Sequence, residues 1–221
     1  MCGRFAITET LIRLISRFNF DAEDFEYIKR YNIAPSQAVP IILFRDGKRK
    51  MEMLKWGLVP FWAKEPKIGN KMINVRAESV KTKPGFKKSV RRRRCLVPAT
   101  GFFEWERKGK EKIPYYIYLE NEEPFAMAGI WDRWEDSDGN ELETFAIITC
   151  VPNGLVENLH DRMPVILLPE DEEQWLDPKI QDEKNVIHLL KPYPADKMTM
   201  HRVSTLVNSY MNDVPECVEK V

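Results

Sequence analysis

The chain has 221 residues, 34 basic and 34 acidic side chains, and 43% hydrophobic residues. That apolar content supports a packed core and excludes a disordered chain, and no apolar run approaches the roughly 20 residues of a membrane-spanning helix. Four scattered cysteines (Cys2, Cys95, Cys150, Cys217) lack metal-type Cys-x-x-Cys spacing, and the N-terminus lacks a secretion signal's apolar core, so reduced thiols and a cytoplasmic location are expected, with no membrane partner.

The zero net charge hides an asymmetry. From Lys64 to Arg94 there are twelve Lys or Arg and two acids, so this stretch carries +10 and the remainder −10. The Arg91–Arg94 run alone reads as a solvated helix face. Together with Arg76, Lys81, Lys87 and Lys88 it points to a polyanion.

The chain begins Met1-Cys2-Gly3-Arg4-Phe5. Initiator methionine is trimmed when the next side chain is small, which would leave Cys2 with a free α-amine and a thiol on adjacent carbons. An α-amine has a reference pKa near 8, so a useful fraction is neutral at pH 7 and can condense with an aldehyde. The thiol can then close onto the imine carbon as a thiazolidine. The plainer reading is a small buried cysteine near a terminus.

Thr8 is expected to cap an amphipathic helix over 8–18, on the spacing of Leu11, Ile12, Leu14, Ile15 and Phe18. An acidic segment follows (Asp21, Glu23, Asp24, Glu26), then an irregular Tyr31–Gln37 stretch containing Pro35. Residues 38–44 and 50–56 read as a hairpin around Asp46-Gly47. The Trp56–Trp62 stretch is broken by Gly57 and Pro60; it reads either as a loop tucked into the core or as a stacking surface for unpaired bases. Short helices are expected after Asn74–Ser79 and over 84–90. Strands are expected at 95–98, 101–105, 113–119, 126–131 and 143–150. Glu104, between Phe103 and Trp105, fits the wet face of an alternating strand; pressed into a low-dielectric site instead, its pKa would rise toward that of a proton-transfer group. A short helix is expected near 153–159, then His160 in a charged loop, an apolar strand at 165–168, a helix at 169–176 and a late strand near 197–203. One domain spanning 1–221 is expected, with no repeats.

Met1–Phe5, Tyr31–Gln37, Trp56–Trp62, Asn74–Ser79, Arg94–Trp105, Ile147–Asn153, Leu159–Leu167 and Val203–Asn208 occur in this order. Together they make the chain resemble the SRAP (SOS-response-associated peptidase) family from Cys2 to about Asn212, with no departure at the key positions and an Arg91–Arg94 run heavier than the motif needs. The resemblance implies an α+β fold with a barrel-like, branched antiparallel β-sheet flanked by helices. It implies a sensor and shield of abasic sites in single-stranded DNA, acting through a covalent thiazolidine crosslink at Cys2. Cys2, Asn74, Glu104 and His160 look like the catalytic set. Arg4, Arg76, Thr149 and Arg162 resemble DNA-backbone contacts, and Pro40 and Trp62 the surface beside flanking bases. No metal or cofactor is implied. Self-release of Met1 and a weak lyase activity fit the family's peptidase label; a general protease does not. The protein is expected to act as a monomer, associated with the nucleoid when on DNA, with replication or repair machinery as candidate partners. Two rival classes remain: an N-terminal-nucleophile amidohydrolase like the glutamine amidotransferases, which also begin Met-Cys-Gly but need a glutamine-binding motif not found here, and a non-covalent reader of modified bases.

Overall fold

The computed structural model describes residues 2–22, 25–82 and 84–221, with only the backbone of Lys81 and Pro84. The readings that involve Met1, Glu23, Asp24 and the Lys81 side chain lie outside the described residues. The strands are β1 (Phe5–Ile7), β2 (Arg30–Ile33), β3 (Ala38–Arg45), β4 (Lys48–Trp56), β5 (Asn74–Arg76), β6 (Arg94–Ala99), β7 (Gly101–Lys108), β8 (Glu111–Leu119), β9 (Phe125–Glu135), β10 (Glu141–Cys150), β11 (Met163–Pro164) and β12 (Met198–Arg202). The α-helices are α1 (Leu11–Phe18), α2 (Ala77–Thr82), α3 (Pro84–Arg92) and α4 (Pro169–Leu176).

Local chemistry accounts for the connections. The β3–β4 hairpin turns on Asp46 and Gly47, with φ of 52° and 81°. Two positive-φ residues match the right-handed twist of the flanking strands, which is why Asp-Gly is favoured there. Helix α1 is capped by the Thr10 hydroxyl, which accepts from the Arg13 N–H at 3.3 Å, and it stops at Asn19 in the left-handed region. The cap is therefore Thr10 rather than the expected Thr8, whose hydroxyl instead meets that of Thr100 at 3.1 Å.

Strands β10, β4, β3, β6 and β9 pair in sequence, and β9 pairs back to β10, closing a barrel. Five strands cannot alternate direction all the way round a ring, so one pairing must be parallel. That pairing is β10 with β4 (Thr144↔Lys55, Phe145↔Trp56). The expected barrel-like, branched sheet is thus present, its ring antiparallel except at this one pairing.

Strand β10 is also where the sheet branches. One edge pairs with β4 and then, in parallel, with β5 (Ile147↔Asn74 to Thr149↔Arg76). The other edge pairs with β9 through Ile147 and then with β11 (Thr149↔Pro164, Cys150↔Met163). A second sheet, antiparallel throughout, runs β12-β8-β7-β1-β2. A buried aromatic row joins the two sheets. Phe5 of β1 meets Trp56 edge-on at 5.1 Å between centroids, and Trp56 stacks on Phe145 of β10 at 6.3 Å. Contacts of this kind add to area burial and hold β1, with Cys2 just before it, against the barrel.

Several expectations are corrected. Residues 154–159 form hydrogen-bonded turns, anchored by Asn153 Oδ1 accepting from the Leu155 and Val156 N–H groups, and not a regular helix. Residues 165–168 are not a strand, apart from an isolated bridge of Ile166 with Met127. The Arg run is not one solvated face either. Arg94 is buried and donates to the carbonyls of Val90, Arg91, Trp175 and Asp177; Arg93 pairs with Asp132, and Arg91 with Glu183.

Candidate functional site

The site forms where the branch of β10 meets the second sheet. Strand β1 begins at Phe5, so Cys2-Gly3-Arg4 run along β7, with the Phe103 N–H donating to the Arg4 carbonyl at 2.9 Å. Cys2 is fully buried. Asn74, the first residue of β5, donates from Nδ2 to the Cys2 carbonyl at 2.8 Å and so ties the arm to the barrel. Its own Oδ1 is buried with no hydrogen-bond partner among the described residues, as are Thr149 Oγ1, Arg162 Nε and Arg4 Nε. Buried polar atoms are ordinarily satisfied, so these four stand out among the described residues.

Glu104 lies on β7 and is only 4% exposed, against the pattern reading of a wet strand face. Strand β1 covers β7 only as far as Phe102, and the arm and the His160 loop close over the next residues. Burial pushes the Glu104 carboxyl up to about 7. Burial, followed by the Glu104 charge, pushes the Cys2 thiol up to about 12. The thiol therefore feels the carboxylate across the site.

His160 follows the turns that leave Asn153. Its Nδ1 accepts the Arg162 backbone N–H at 3.0 Å and also lies 2.8 Å from an Asp161 carboxylate oxygen. The two contacts make opposite demands on Nδ1. Burial lowers the His160 pKa, and a neutral ring accepting the backbone N–H satisfies it, which places the proton on Nε2. Glu104 and His160 share a cleft of about 630 Å³ with Trp105, Arg107, Lys112 and Asn208.

The expected DNA contacts divide. Arg76 is exposed and opposite Thr149 across the β5–β10 pairing. Arg162 is buried, held bidentately by Glu78 at 3.0 and 2.9 Å and donating to the Thr149 carbonyl at 2.6 Å. Arg4 donates to Asn32 Oδ1 at 2.7 Å and to the Val207 carbonyl at 2.6 Å. Trp62 is 54% exposed and lies over Gly85 of α3, while the neighbouring Phe61 carries the Lys88 ammonium 4.0 Å above its ring. The first half of the Trp56–Trp62 stretch is core and only its end is surface. Pro40 is buried in β3 and lines a separate groove with Phe25, Tyr27 and Met53.

Sequence reasoning missed Asn32, whose Nδ2 donates to the carbonyls of Val207, Ser209 and Asn212 and so fixes the C-terminal segment beside Arg4. Residues 31–33, expected to be irregular, belong to β2, and a single buried asparagine in so short a strand gives no periodic signal. It also missed Arg107 and Lys112, which could have been found as like charges placed opposite each other by a hairpin turning at Gly109.

A profile of the family described as SOS response associated peptidase (SRAP) matches residues 1–210. The abasic site processing protein YoqW of Bacillus subtilis is 46% identical, with 99% of both chains covered. The abasic site processing protein YedK of Escherichia coli is 32% identical, with both chains covered in full. A crystallised protein of Bacteroides thetaiotaomicron superposes with a TM-score of 0.89 at 34% identity over the whole of both chains. With a full-length family match and a common fold, the chain belongs to the SRAP family.

Proposed function

We propose that this protein processes abasic sites in single-stranded DNA by bonding covalently to them through Cys2. The observation that carries the proposal is the arrangement at the arm: the Cys2 carbonyl held by Asn74, with a buried carboxyl of pKa about 7 and a neutral histidine on the same cleft. The abasic naming of the relatives supports the substrate class.

Removal of Met1 makes Cys2 the first residue. An abasic sugar interconverts between a closed ring and an open aldehyde. The neutral α-amine adds to the aldehyde carbon, giving a carbinolamine. Protonated Glu104 donates to the departing hydroxyl, water leaves, and a protonated imine forms opposite the Glu104 carboxylate. The Cys2 sulfur then bonds to the imine carbon as the C=N electron pair returns to nitrogen, and the thiol proton passes to the Glu104 carboxylate, which restores the acid. A thiol held near pKa 12 does not ionise unaided, so a neighbouring base is needed for this closure. The His160 Nε2–H is suited to hydrogen-bond the sugar oxygen released on ring opening, and Asn74 fixes the direction of the terminus. The thiazolidine carbon is saturated. It lacks the electron sink that drives β-elimination, so the strand stays intact.

The test is a denaturing gel with abasic single-stranded DNA. The untagged protein is expected to give an adduct that survives denaturation without reductant. Cys2→Ala is expected to give only a borohydride-trapped imine, and a protein with an uncleavable tag before Cys2 no stable adduct. A stable adduct at parental yield from the tagged protein would exclude the α-amine and overturn the mechanism.

A further inference from the structure

Arg107 of β7 and Lys112 of β8 are direct cross-strand partners. Like charges placed opposite each other destabilise a sheet, and the usual remedy is an acidic neighbour. The same hairpin has acids available. Glu106 is taken by Lys108 at 3.2 Å and by the Tyr115 hydroxyl at 3.2 Å, and Glu111 is the cross-strand partner of Lys108. Arg107 and Lys112 make no hydrogen bond or ion pair among the described residues, are both exposed, and both line the cleft that leads to Glu104 and His160. Arg107 is near enough to His160 to help lower its pKa. By contrast, Arg4 and Arg162 donate mostly to protein groups.

We propose that Arg107 and Lys112 form a two-point phosphate clamp at the mouth of the Glu104–His160 cleft, gripping the sugar-phosphate backbone of the bound strand next to the reacting sugar. This rests on the strand-binding function proposed above. The unneutralised pair is a cost to the fold that a phosphate removes, and an arginine fork beside an ammonium suits an anion that tracks across both strands of the hairpin.

The test uses a single-stranded oligonucleotide carrying a tetrahydrofuran abasic analogue, which has no aldehyde and reports binding alone. Affinity is measured across a salt series for the parent, for Arg107→Gln with Lys112→Gln, and for Lys108→Gln with Lys110→Gln. The last pair removes the same charge from the same hairpin but not from the cleft. Each phosphate contact on a single strand contributes about 0.7 to the salt slope. The first double variant is expected to lose about 1.4 in slope by that rule and to bind more weakly, with the control near the parent. Lys112→Glu adds a second reading: it restores an opposite-charge pair with Arg107, so Tm should hold or rise while affinity falls. Equal losses from both doubles would mean diffuse electrostatics, and unchanged affinity in the first double would mean no clamp; either overturns the proposal. Failure of the proposed function is distinguished by the parent giving no covalent adduct with an aldehyde-bearing strand.

Discussion

Glu104 shows how one residue's setting brings an ordinary carboxyl to the neutral pH range that the proposed proton transfer requires. Burial favours its protonated form, so at pH near 7 both states are populated. Glu104→Gln is expected to slow crosslinking by about 10²- to 10⁴-fold, the usual contribution of a positioned acid or base, without weakening strand binding. The pH profile should change too. The α-amine becomes neutral as pH rises toward 8, while the Glu104 acid is lost above about 7, which gives a bell. In Glu104→Gln the alkaline limb should disappear. The raised pKa also predicts a stability effect of definite sign. The folded-state value lies above the unfolded value of 4.5, so between the two the native protein binds more protons and loses stability as pH rises. The neutral isostere escapes this. Glu104→Gln should be more stable than the parent at pH 8, by up to about 3.5 kcal/mol, because each pH unit between the two values costs the parent about 1.4 kcal/mol. The gap should close toward pH 4.5. A parent and variant of equal rate would return Glu104 to a passive role.

Among the elements, the segment after β4 is the one whose placement rests on bare backbone. Gly57 has φ of 132°, and a Cβ there would lie 2.7 Å from the Gly69 carbonyl oxygen. A Cβ on Gly69 would meet the Gly57 carbonyl oxygen at 2.6 Å. The contact is backbone on backbone, so neither side can yield by a rotamer change. It sets the loop's departure from the barrel. Further along, the Val59 N–H donates to Thr144 Oγ1 at 2.8 Å and the Phe61 N–H to Asp132 Oδ2 at 3.0 Å. Phe61 and Trp62 thereby reach the surface beside α3. Gly57→Ala is expected to cost about 1–3 kcal/mol through strain and clash, measured by denaturant unfolding. It should also weaken strand binding while leaving the crosslinking rate at saturating DNA near the parent's, since Cys2 and Glu104 stand on other elements. A variant of parental stability would show that the close approach carries no strain.

For the molecule as a whole, the fold divides the basic stretch into a structural set and an exposed set. Arg94 ties β6 to α3 and to the end of α4 through four carbonyls, and Arg93 and Arg91 pair with Asp132 and Glu183. Arg76, Lys88 and Arg92 are left to solvent or to an aromatic ring, with Arg107 and Lys112 on the second sheet. Arg94→Met should lower stability by about 3 kcal/mol or more, because buried carbonyls lose a charged donor, and should leave the salt slope unchanged. Arg92→Gln should do the reverse. With roughly three to five phosphate contacts, the parent slope of log K against log salt should lie near −2 to −3.5, with single strands preferred to intact duplex. A slope near zero would remove DNA from the account.

Most of the elements, and the candidates for the reacting groups, are legible in the amino-acid sequence. Hairpin chemistry at Asp46-Gly47, strand patterning and the order of motifs from Cys2 to Asn208 are local properties, readable because each depends on neighbours a few residues away. What surrounds those groups depends on packing between distant segments. Glu104 looked solvated because alternation along β7 says nothing of an arm and a loop closing over the strand. The Arg91–Arg94 run looked uniform because the partners that separate its members, Asp132, Trp175, Asp177 and Glu183, lie dozens of residues away. The parallel β4–β10 pairing follows from closing a ring of five, a constraint no single segment carries. The approach of Cys2 to Asn74 likewise depends on where β10 branches. Such long-range juxtapositions set burial and charge, and through them the pKa values on which the proposed chemistry depends.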